Sequence, residues 1–419
     1  MKKNIWIFNH YATNMYYDNG GRHYWFAKYL KREGYNPVIF CANVFHGFQK
    51  EVDTHGKMYV EKNDNADYIP FVFIRTPQYK KNGFSRIKNM TSFYTALFKV
   101  AKEYCRSHDK PDLIFASSVH PLTLVAGIKL SKKLGIKCIC EVRDLWPESF
   151  VAYGKLNEKS LFASILYKGE NWIYKKAGAL IFTMEGGKNY IKDKKWDKKS
   201  GGSIDLQKVY YINNGIDLPV VLENREKNPF ENEKFEKIEN EKIIYTGSIR
   251  EVNHVGLLLD TAKFLKAQKL TFCIFGDGDE REKLEKRVAI EKIDNVVFFG
   301  RVDKKYIPDI VSRALLLIVC QQDKMAIGKY GTSQNKMFDY LAAGKAIISN
   351  LPNKYSIINR YNCGIERDLP TAEILAEQIN EMVRDKKQME KWGENAFVAA
   401  KEFSFENHTK KLIRIIENI

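Results

Sequence analysis

The chain has 419 residues, of which 44% are hydrophobic and 13% aromatic. This composition excludes a disordered or collagen-like chain, and the length favours two domains of about 200 residues each. The formal charge of +17 indicates either an anionic partner (a phosphorylated substrate, an anionic membrane or nucleic acid) or lysines that only solvate the surface.

The cysteines and the apolar runs indicate the compartment. Seven cysteines lie mostly in apolar runs without C-x-x-C spacing, which is typical of reduced core residues in a cytosolic protein. The first apolar run, residues 5–8, is too short for a signal peptide. No stretch approaches the roughly 18 apolar residues that a membrane-spanning helix needs. We therefore expect a cytoplasmic or peripheral protein.

Short apolar runs alternate with helical patterns along the chain, as in parallel α/β sheets. The predicted strands are 4–8, 36–41, 112–116, 137–142 and 179–183 in the first half, and 242–246, 271–275, 295–299, 315–319 and 346–349 in the second. Helices are predicted at 255–268, 279–290, 371–383 and 391–419, and an exposed loop at 192–202. The Glu-, Asn- and Lys-rich stretch 222–241 predicts a linker between the halves.

Polar residues follow two strands of the first half. Gly20 and Gly21, flanked by Asn19 and Arg22, open a helical pattern after the first strand, and such a turn lets another molecule approach the backbone closely. The pair lacks the G-x-G-x-x-G spacing of a dinucleotide site. His120 follows the strand 112–116, and ligands of open α/β sheets bind beyond the carboxyl ends of strands.

Four charged side chains, Glu141, Arg143, Asp144 and Glu148, stand at the exit of the strand 137–142. Burying four charged side chains costs free energy unless they face a polar ligand or one another. Two interpretations stay open: a substrate-binding cluster, or a surface network in which Arg143 pairs with Asp144 or Glu148.

The second half begins with a strand, a glycine and a short polar loop, which is a geometry that binds anions. Its polar positions are Gly247, Ser248, Arg250 and Asn253. Two further strands end in glycine turns, at Gly276 and before Arg301.

The stretch 330–350 is the most informative one. It begins as a polar loop, continues as a helix of two to three turns and ends in a strand after Gly344. Free N–H groups at the start of such a helix bind phosphate well. Asp339, inside the helix, is close enough to reach a sugar hydroxyl beside that phosphate. The loop and first turn supply Thr332, Ser333, Asn335 and Lys336.

Together these motifs, most specifically residues 141–148, 245–254 and 330–350, resemble retaining glycosyltransferases of family 4. They look closest to the fucosamine-transferase-like subgroup of bacterial O-antigen and capsule biosynthesis. The resemblance implies the α/β GT-B fold, with two Rossmann-like domains facing across a cleft and a last helix that crosses back to the N-terminal domain. The implied parts are an acceptor-binding domain 1–215, a linker 216–241, a donor-binding domain 242–395 and a C-terminal helix 396–419.

The resemblance also implies roles for particular residues. Catalytic roles fall to Asp144, Arg143, His120 and Glu148, and acceptor contacts to Asn19, Arg22 and Arg143. Donor contacts fall to Gly20, Gly21, Glu185, Asn214, Gly247, Ser248, Arg250, Asn253, Gly276, Arg301, Thr332, Ser333, Asn335, Lys336 and Asp339.

Three positions depart from the family pattern. Ser248 and Asn253 stand where family members place an arginine and a lysine on the diphosphate, so Arg250 and Lys336 are expected to supply the charge. Gly331 replaces the first of two glutamates, and the donor sugar must find other partners.

The implied reaction moves an N-acetylated amino or deoxy sugar from UDP onto a glycan acceptor, either free or carried on polyprenyl diphosphate, with retention of configuration. No D-x-D motif stands at a strand end, since Asp277-Gly278-Asp279 fits a glycine turn better. We therefore expect a hexosyltransferase without a metal ion or other cofactor, in which backbone N–H groups and cations stabilise the leaving diphosphate.

A basic amphipathic pattern at 86–104, flanked by Lys80, Lys81 and Arg86, predicts either a contact with the anionic inner face of the cell membrane or a core-facing helix. Two other functions compete with the main prediction. A UDP-sugar 2-epimerase of GT-B type would not need the cluster at 141–148. A nucleic-acid-binding protein would need a basic stripe with exposed aromatics, whereas these lysines are scattered. The oligomeric state is left open.

Overall fold

The computed structural model describes residues 3–45, 50–79, 83–118, 120–322 and 328–419. The chain divides into two compact units, unit 1 (residues 1–213 and 405–419) and unit 2 (residues 214–404). Each unit contains one open α/β sheet, as the alternation of strand and helix patterns predicts.

The sheet of unit 1 has eight strands. They are β1 (Asn4–Phe8), β2 (Asn36–Ala42), β3 (Tyr59–Lys62), β4 (Phe71–Ile74), β5 (Leu113–Ser117), β6 (Lys137–Val142), β7 (Ala179–Phe182) and β8 (Val209–Tyr211). The order in the sheet is β3-β4-β2-β1-β5-β6-β7-β8, and only the β3–β4 pair is antiparallel. The helices are α1 (Thr13–Tyr17), α2 (Arg22–Arg32), α3 (Phe84–Ser107), α4 (Pro121–Leu134), α5 (Glu148–Ala152), α6 (Leu161–Lys176) and α7 (Gly187–Asp193).

Different helices cover the two faces of this sheet. Ile5 and Ile39 of the strands pack with Phe26 of α2 in one apolar core. On the other face, Trp6 meets Tyr104 of α3, with ring centroids 5.7 Å apart, and α4 packs beside α3. Both faces are therefore buried, as expected for a parallel sheet.

Unit 2 has a six-stranded, wholly parallel sheet. Its strands are β9 (Glu241–Thr246), β10 (Leu270–Phe275), β11 (Val296–Gly300), β12 (Leu316–Val319), β13 (Ala346–Ser349) and β14 (Gly364–Glu366). They lie in the order β11-β10-β9-β12-β13-β14. Its helices are α8 (Leu218–Lys227), α9 (Glu233–Glu236), α10 (Val255–Phe264), α11 (Arg281–Ile290), α12 (Ile307–Ser312), α13 (Asn335–Ala343), α14 (Ile357–Arg360), α15 (Ala372–Arg384) and α16 (Lys386–Glu402).

The last helix, α17 (Phe405–Glu417), belongs to unit 1. Phe405 packs on Phe26 of α2 at 5.5 Å between ring centroids, and Lys3 Nζ donates to the carbonyl of Ile416 at 2.8 Å. The helix predicted over 391–419 is thus two helices, because the chain leaves helical geometry between Glu402 and Phe405 and passes from one unit to the other there.

The ten predicted strands are all present, with ends displaced by at most one residue. Four short strands, β3, β4, β8 and β14, were not predicted. The stretch predicted as a linker contains α8 and α9, and buries Phe230 and Phe235 with Phe275 of β10 in the core of unit 2. The segment was predicted as a linker because its composition is mostly polar. Two buried phenylalanines, Phe230 and Phe235, are enough to pack it on unit 2.

Among the described residues, no helix is long and apolar enough to span a bilayer.

Candidate functional site

Three glycine turns lie side by side at the carboxyl ends of β9, β10 and β11. The Gly247 N–H donates to the carbonyl of Phe275 at 2.9 Å, and the Gly276 N–H donates to that of Gly300 at 2.8 Å. Gly276 has φ +140°, and a Cβ there would lie 1.7 Å from the carbonyl oxygen of Gly247. Only glycine fits, so the predicted turns form a surface of bare backbone.

Lys336 lies in the first turn of α13 and points at this surface. Its Nζ is 4.0 Å from the ring centroid of Tyr245, and a Cβ on Gly247 would lie 2.8 Å from it. The Nζ is buried and has no hydrogen-bond partner within the described part of the chain. Burial lowers the pKa of Lys336 to about 7, although the Cys320 thiol opposes the shift. An ammonium group in this setting needs an anion.

Hydrogen bonds fix the loop before α13. The Asn214 side chain donates to the carbonyl of Ser333 at 2.8 Å, and Asn353 donates to Thr332 Oγ1 at 3.3 Å. The side chain of Gln334 does not cap the helix, so the first turn of α13, which begins at Asn335, keeps N–H groups available to a ligand. The structure thus brings together Asn214, Thr332, Ser333, Asn335 and Lys336.

Two tyrosines that support this site were not predicted from the sequence. Tyr245 is the ring under Lys336, and the Tyr340 hydroxyl accepts a hydrogen bond from the Thr246 N–H at 2.8 Å. Both look like ordinary core residues in the sequence, since nothing local shows that a strand and a helix 94 residues apart meet.

Asp339 lies on α13 one turn beyond Lys336 and is half-buried. Burial raises its pKa to about 7, while Lys304 opposes that shift. The residue borders a small cavity with Leu222, Arg225 and Pro308. Its predicted contact with a ribose stays a prediction.

Ser248 and Asn253, which stand where the resemblance predicts cations, contact each other, because Ser248 Oγ donates to Asn253 Oδ1 at 2.8 Å. Arg250 and Arg301 are exposed. Lys336 is therefore the buried cation at the glycine turns, and Arg250 remains a surface residue that a ligand would have to reach.

In unit 1, the carboxylate of Glu141 is the centre of a buried polar network. It accepts from Arg22 Nε at 2.7 Å and from Ser117 Oγ at 2.7 Å, and it contacts His23 Nε2 at 2.9 Å. Arg22 also donates to the carbonyl of Ile212 at 2.8 Å. Burial opposes ionisation, but Arg22 and His23 hold the pKa of Glu141 well below its usual range.

Arg22 takes part in this network through several internal contacts. Its guanidinium is buried and also donates to the carbonyl of Asn213 at 2.5 Å, and its acceptor contact stays a prediction. A glutamate inside the apolar run of β6 was the available signal that a buried partner existed.

Asn19 and the glycine pair shape the loop before α2. Asn19 Oδ1 accepts from the Ala66 N–H at 2.9 Å. Gly21 has φ +109°, and a Cβ there would lie 2.9 Å from Met15 Cγ. Asn19 is exposed, and its acceptor contact stays a prediction, as does the donor contact of Gly20 and Gly21.

His120 is buried at the start of α4. Its Nε2 lies 2.6 Å from His10 Nδ1, while its Nδ1 has no partner within the described ranges. Burial and the nearby Arg86 lower the pKa of His120 to about 3. It is therefore neutral at physiological pH and suited to hydrogen bonding rather than to carrying charge.

The polar residues after β6 differ in their contacts and exposure. The Arg143 N–H donates to Ser118 Oγ at 3.0 Å, and Asp144 is exposed. Glu148 is paired with Lys194 at 2.7 Å and accepts from Tyr167 at 2.7 Å.

These two contacts hold Glu148 at the start of α5, and its catalytic role stays a prediction. Asp144 and Arg143 remain candidates. Glu185 is half-buried in the turn after β7, and its donor contact stays a prediction.

The basic pattern at 86–104 forms part of α3, whose Phe93, Leu97 and Tyr104 are buried. The interpretation as a core-facing helix therefore holds for one side of α3. Phe84 and Ile87 remain exposed at its start. Lys80 and Lys81, which were part of the membrane prediction, lie outside the described residues.

In the portion of the chain that the structure describes, no three His, Cys, Asp or Glu side chains come together as metal ligands would. Asp277 Oδ1 accepts from the Gly278 N–H at 2.9 Å, as expected of a turn. Metal-independent transfer stays a prediction.

Comparisons with known proteins agree with this division of the chain. Residues 24–219 match the family model described as Glycosyltransferase Family 4, and residues 224–398 match the one described as Glycosyl transferases group 1. A curated relative, the probable glycosyltransferase WbjE of Pseudomonas aeruginosa, is 22% identical over 242 residues, which cover 57% of this chain and 57% of that protein. The match thus spans less than two thirds of the relative's length.

Solved structures share the fold over the whole chain. Sucrose-phosphate synthase from Thermosynechococcus elongatus superposes with a TM-score of 0.70 at 15% identity, covering 100% of this chain and 99% of that one. HepE from Anabaena, in complex with UDP-glucose, superposes with a TM-score of 0.65 at 14% identity, covering 100% of both chains. The predicted two-domain α/β GT-B fold is confirmed. The chain is thus similar to the Glycosyltransferase Family 4 model in its first part and to the Glycosyl transferases group 1 model in its second.

Proposed function

We propose that this protein is a glycosyltransferase that uses a UDP-sugar as donor and a glycan of bacterial surface polysaccharide as acceptor. The two matched domains support sugar transfer, and HepE, which has the same fold, binds UDP-glucose. We assign the donor to unit 2 and the acceptor to unit 1.

The observation that carries the proposal is the buried ammonium of Lys336 at the glycine turns, for which the described residues supply no hydrogen-bond partner. Burying a charge without a partner is unfavourable, and the pKa near 7 records that cost. A diphosphate would supply the missing negative charge, and the N–H groups at the start of α13 would add hydrogen bonds to it. An anion bound here would pair with the buried ammonium group and remove the free-energy cost of burying it alone.

The chemistry follows from the same groups. As the bond between sugar and phosphate breaks, negative charge develops on the departing diphosphate. Lys336 and the N–H groups of α13 are already oriented to stabilise that charge. Asp339 binds the ribose in our proposal, and the transfer retains configuration and needs no metal ion.

On the acceptor side, Asp144 is an exposed carboxylate that follows β6, and His120, which follows β5, is neutral. We propose that Asp144 orients the acceptor hydroxyl and that Arg143 binds an anionic group of the acceptor. An acceptor linked to lipid diphosphate would place the enzyme at the anionic inner face of the membrane, which suits the net charge of +17.

Calorimetric titration of UDP against wild type, Lys336→Gln and Lys336→Arg, with EDTA present, tests the donor site. We expect Lys336→Gln to weaken UDP binding about 10- to 100-fold, since a hydrogen bond to a charged group is lost. Lys336→Arg should bind more tightly than Lys336→Gln. Lys266→Gln, which removes an exposed lysine paired with Asp294, is the matched control and should bind as wild type does.

UDP binding equal in wild type and Lys336→Gln would contradict the proposal. GDP and ADP serve as competitors, and equal affinity for all three nucleotides would remove the support for a UDP-sugar. Conversion of a UDP-sugar to its 2-epimer without an acceptor would instead identify an epimerase.

A further inference from the structure

Unit 1 contains a cavity of about 450 Å³ between α4, α6 and the end of β6. Its walls are mostly apolar and include Leu122, Val125, Leu166 and Trp172. Asp144 and Trp146 line the same cavity. The pocket therefore adjoins the exposed carboxylate that we assign to the acceptor.

Two ionisable side chains of the wall, Glu170 and Lys129, leave the pocket largely without charge. Glu170 accepts hydrogen bonds from Tyr174 at 2.6 Å and from Tyr190 at 2.7 Å. Burial raises the pKa of Glu170 to about 8, so its carboxyl group is mostly neutral at pH 7. Lys129 donates to Tyr94 at 2.9 Å and is turned toward α3. A pocket of this size and lining favours an apolar ligand.

The surface around the pocket is both apolar and basic. The first turns of α6 expose Leu161 (79%), Phe162 (62%) and Ile165 (56%), and α3 exposes Phe84 (83%). The helices α3, α4 and α6 together carry eleven Lys or Arg residues and two Glu. One of those two is Glu170, which is buried. These helices thus combine exposed apolar side chains with an excess of cations, and an anionic lipid surface matches both properties.

We propose that this pocket binds the hydrocarbon chain of a lipid-linked anionic acceptor, which enters from a membrane held against the basic face of α3, α4 and α6. The inference rests on the proposed function, because the chain would be that of the acceptor. The proposed function does not say where the lipid binds, and this inference places it in the pocket. Asp144, at the wall of the pocket, would then lie next to the sugar that the lipid carries.

Gly169 offers a way to fill the pocket without disturbing the fold. It lies on α6, lines the cavity, and a Cβ added there meets no atom within 4 Å. Replacing a helical glycine also favours the helix. Gly169→Leu and Gly169→Phe should therefore fold while occupying the space of the lipid, and Gly169→Ala is the control that leaves most of the space open.

The probe is 11-bromoundecyl phosphate, whose bromine quenches the fluorescence of Trp146 and Trp172 in the pocket. We expect saturable quenching in wild type and Gly169→Ala. Gly169→Leu should bind about tenfold more weakly, which corresponds to roughly two methylene groups displaced, and Gly169→Phe more weakly still. Methyl phosphate should not compete, and 11-bromoundecanol should bind less well than the phosphate.

Equal quenching in wild type and Gly169→Leu would overturn the proposal, and so would equal binding of the alcohol and the phosphate. A dimer of wild type that Gly169→Leu dissociates, seen by sedimentation, would show instead that a second copy covers the pocket. UDP titration of the same preparations separates the two proposals. Intact UDP binding without quenching refutes only the lipid pocket, and quenching without UDP binding refutes only the donor site.

Discussion

Each sheet has a buried charged side chain near the carboxyl ends of its strands, and the two side chains differ in the partners that surround them. In unit 1, Glu141 is buried with Arg22 and His23 around it, so the charges satisfy one another. In unit 2, Lys336 is buried against Tyr245 without a hydrogen-bond partner among the described residues. A charge that is already paired holds its surroundings in place, whereas one left without a partner indicates where a ligand binds.

The comparison predicts that removing Glu141 costs stability and not donor affinity. Glu141→Ala leaves the charge of Arg22 buried without a carboxylate beside it, and we expect a loss of about 3–5 kcal/mol in the free energy of unfolding, measured by urea denaturation. UDP affinity of the folded protein should stay unchanged.

The control for that experiment is Glu223→Gln, which removes one member of an exposed pair with Lys227 and should hardly change stability. If Glu141→Ala unfolded at the same urea concentration as wild type, the network would not be what holds this edge of unit 1 together.

The second carboxylate of unit 1 predicts a pH effect of smaller size. The pKa of Glu170 is raised by burial to about 8 from an ordinary 4.5, so the native state holds a proton that the unfolded chain releases. Stability then falls as pH rises between those values. Over pH 5.5 to 7.5 the fall is at most about 2.7 kcal/mol.

Thermal unfolding of wild type and Glu170→Gln across that range measures the effect. The amide keeps the hydrogen-bonding shape and cannot titrate, so the variant should lose less stability as pH rises. Identical pH profiles of the two proteins would show that Glu170 is ionised in the native state.

The last expected effect, whose upper limit is similar, concerns the titration of Lys336. Its pKa near 7 in the free protein means that above pH 7 the amine must take up a proton to bind a diphosphate. We expect UDP affinity to fall by at most about tenfold per pH unit between pH 7 and 9, where phosphate groups with a pKa of about 6 stay ionised.

Lys336→Arg sharpens this prediction, because the guanidinium stays charged over the whole range. Its UDP affinity should be independent of pH. A parallel fall in both proteins would assign the titration to another group and would weaken the contrast between the two units.

Residues of unit 1 show the limits of local inference most clearly. The acceptor contact predicted for Arg22 comes from the family resemblance, and nothing near Arg22 in the sequence indicates its partner Glu141, which is 119 residues away along the chain. The sheet order brings β6 next to β5, beside β1, and no local spacing records that order. The pocket beside α6 is hidden for the same reason, since α4 and α6 each look like ordinary amphipathic helices.

The sequence by itself determined the two α/β halves, the ten strands to within one residue, and the glycine turns at Gly247, Gly276 and Gly300. It could do so because strand alternation, glycine and helix starts are local properties of the backbone. Only the tertiary structure decided that Arg22 is paired, that Lys336 has no hydrogen-bond partner within the described ranges, and that α17 belongs to unit 1. Whether a buried charge has a partner depends on which distant segments the sheet order brings together.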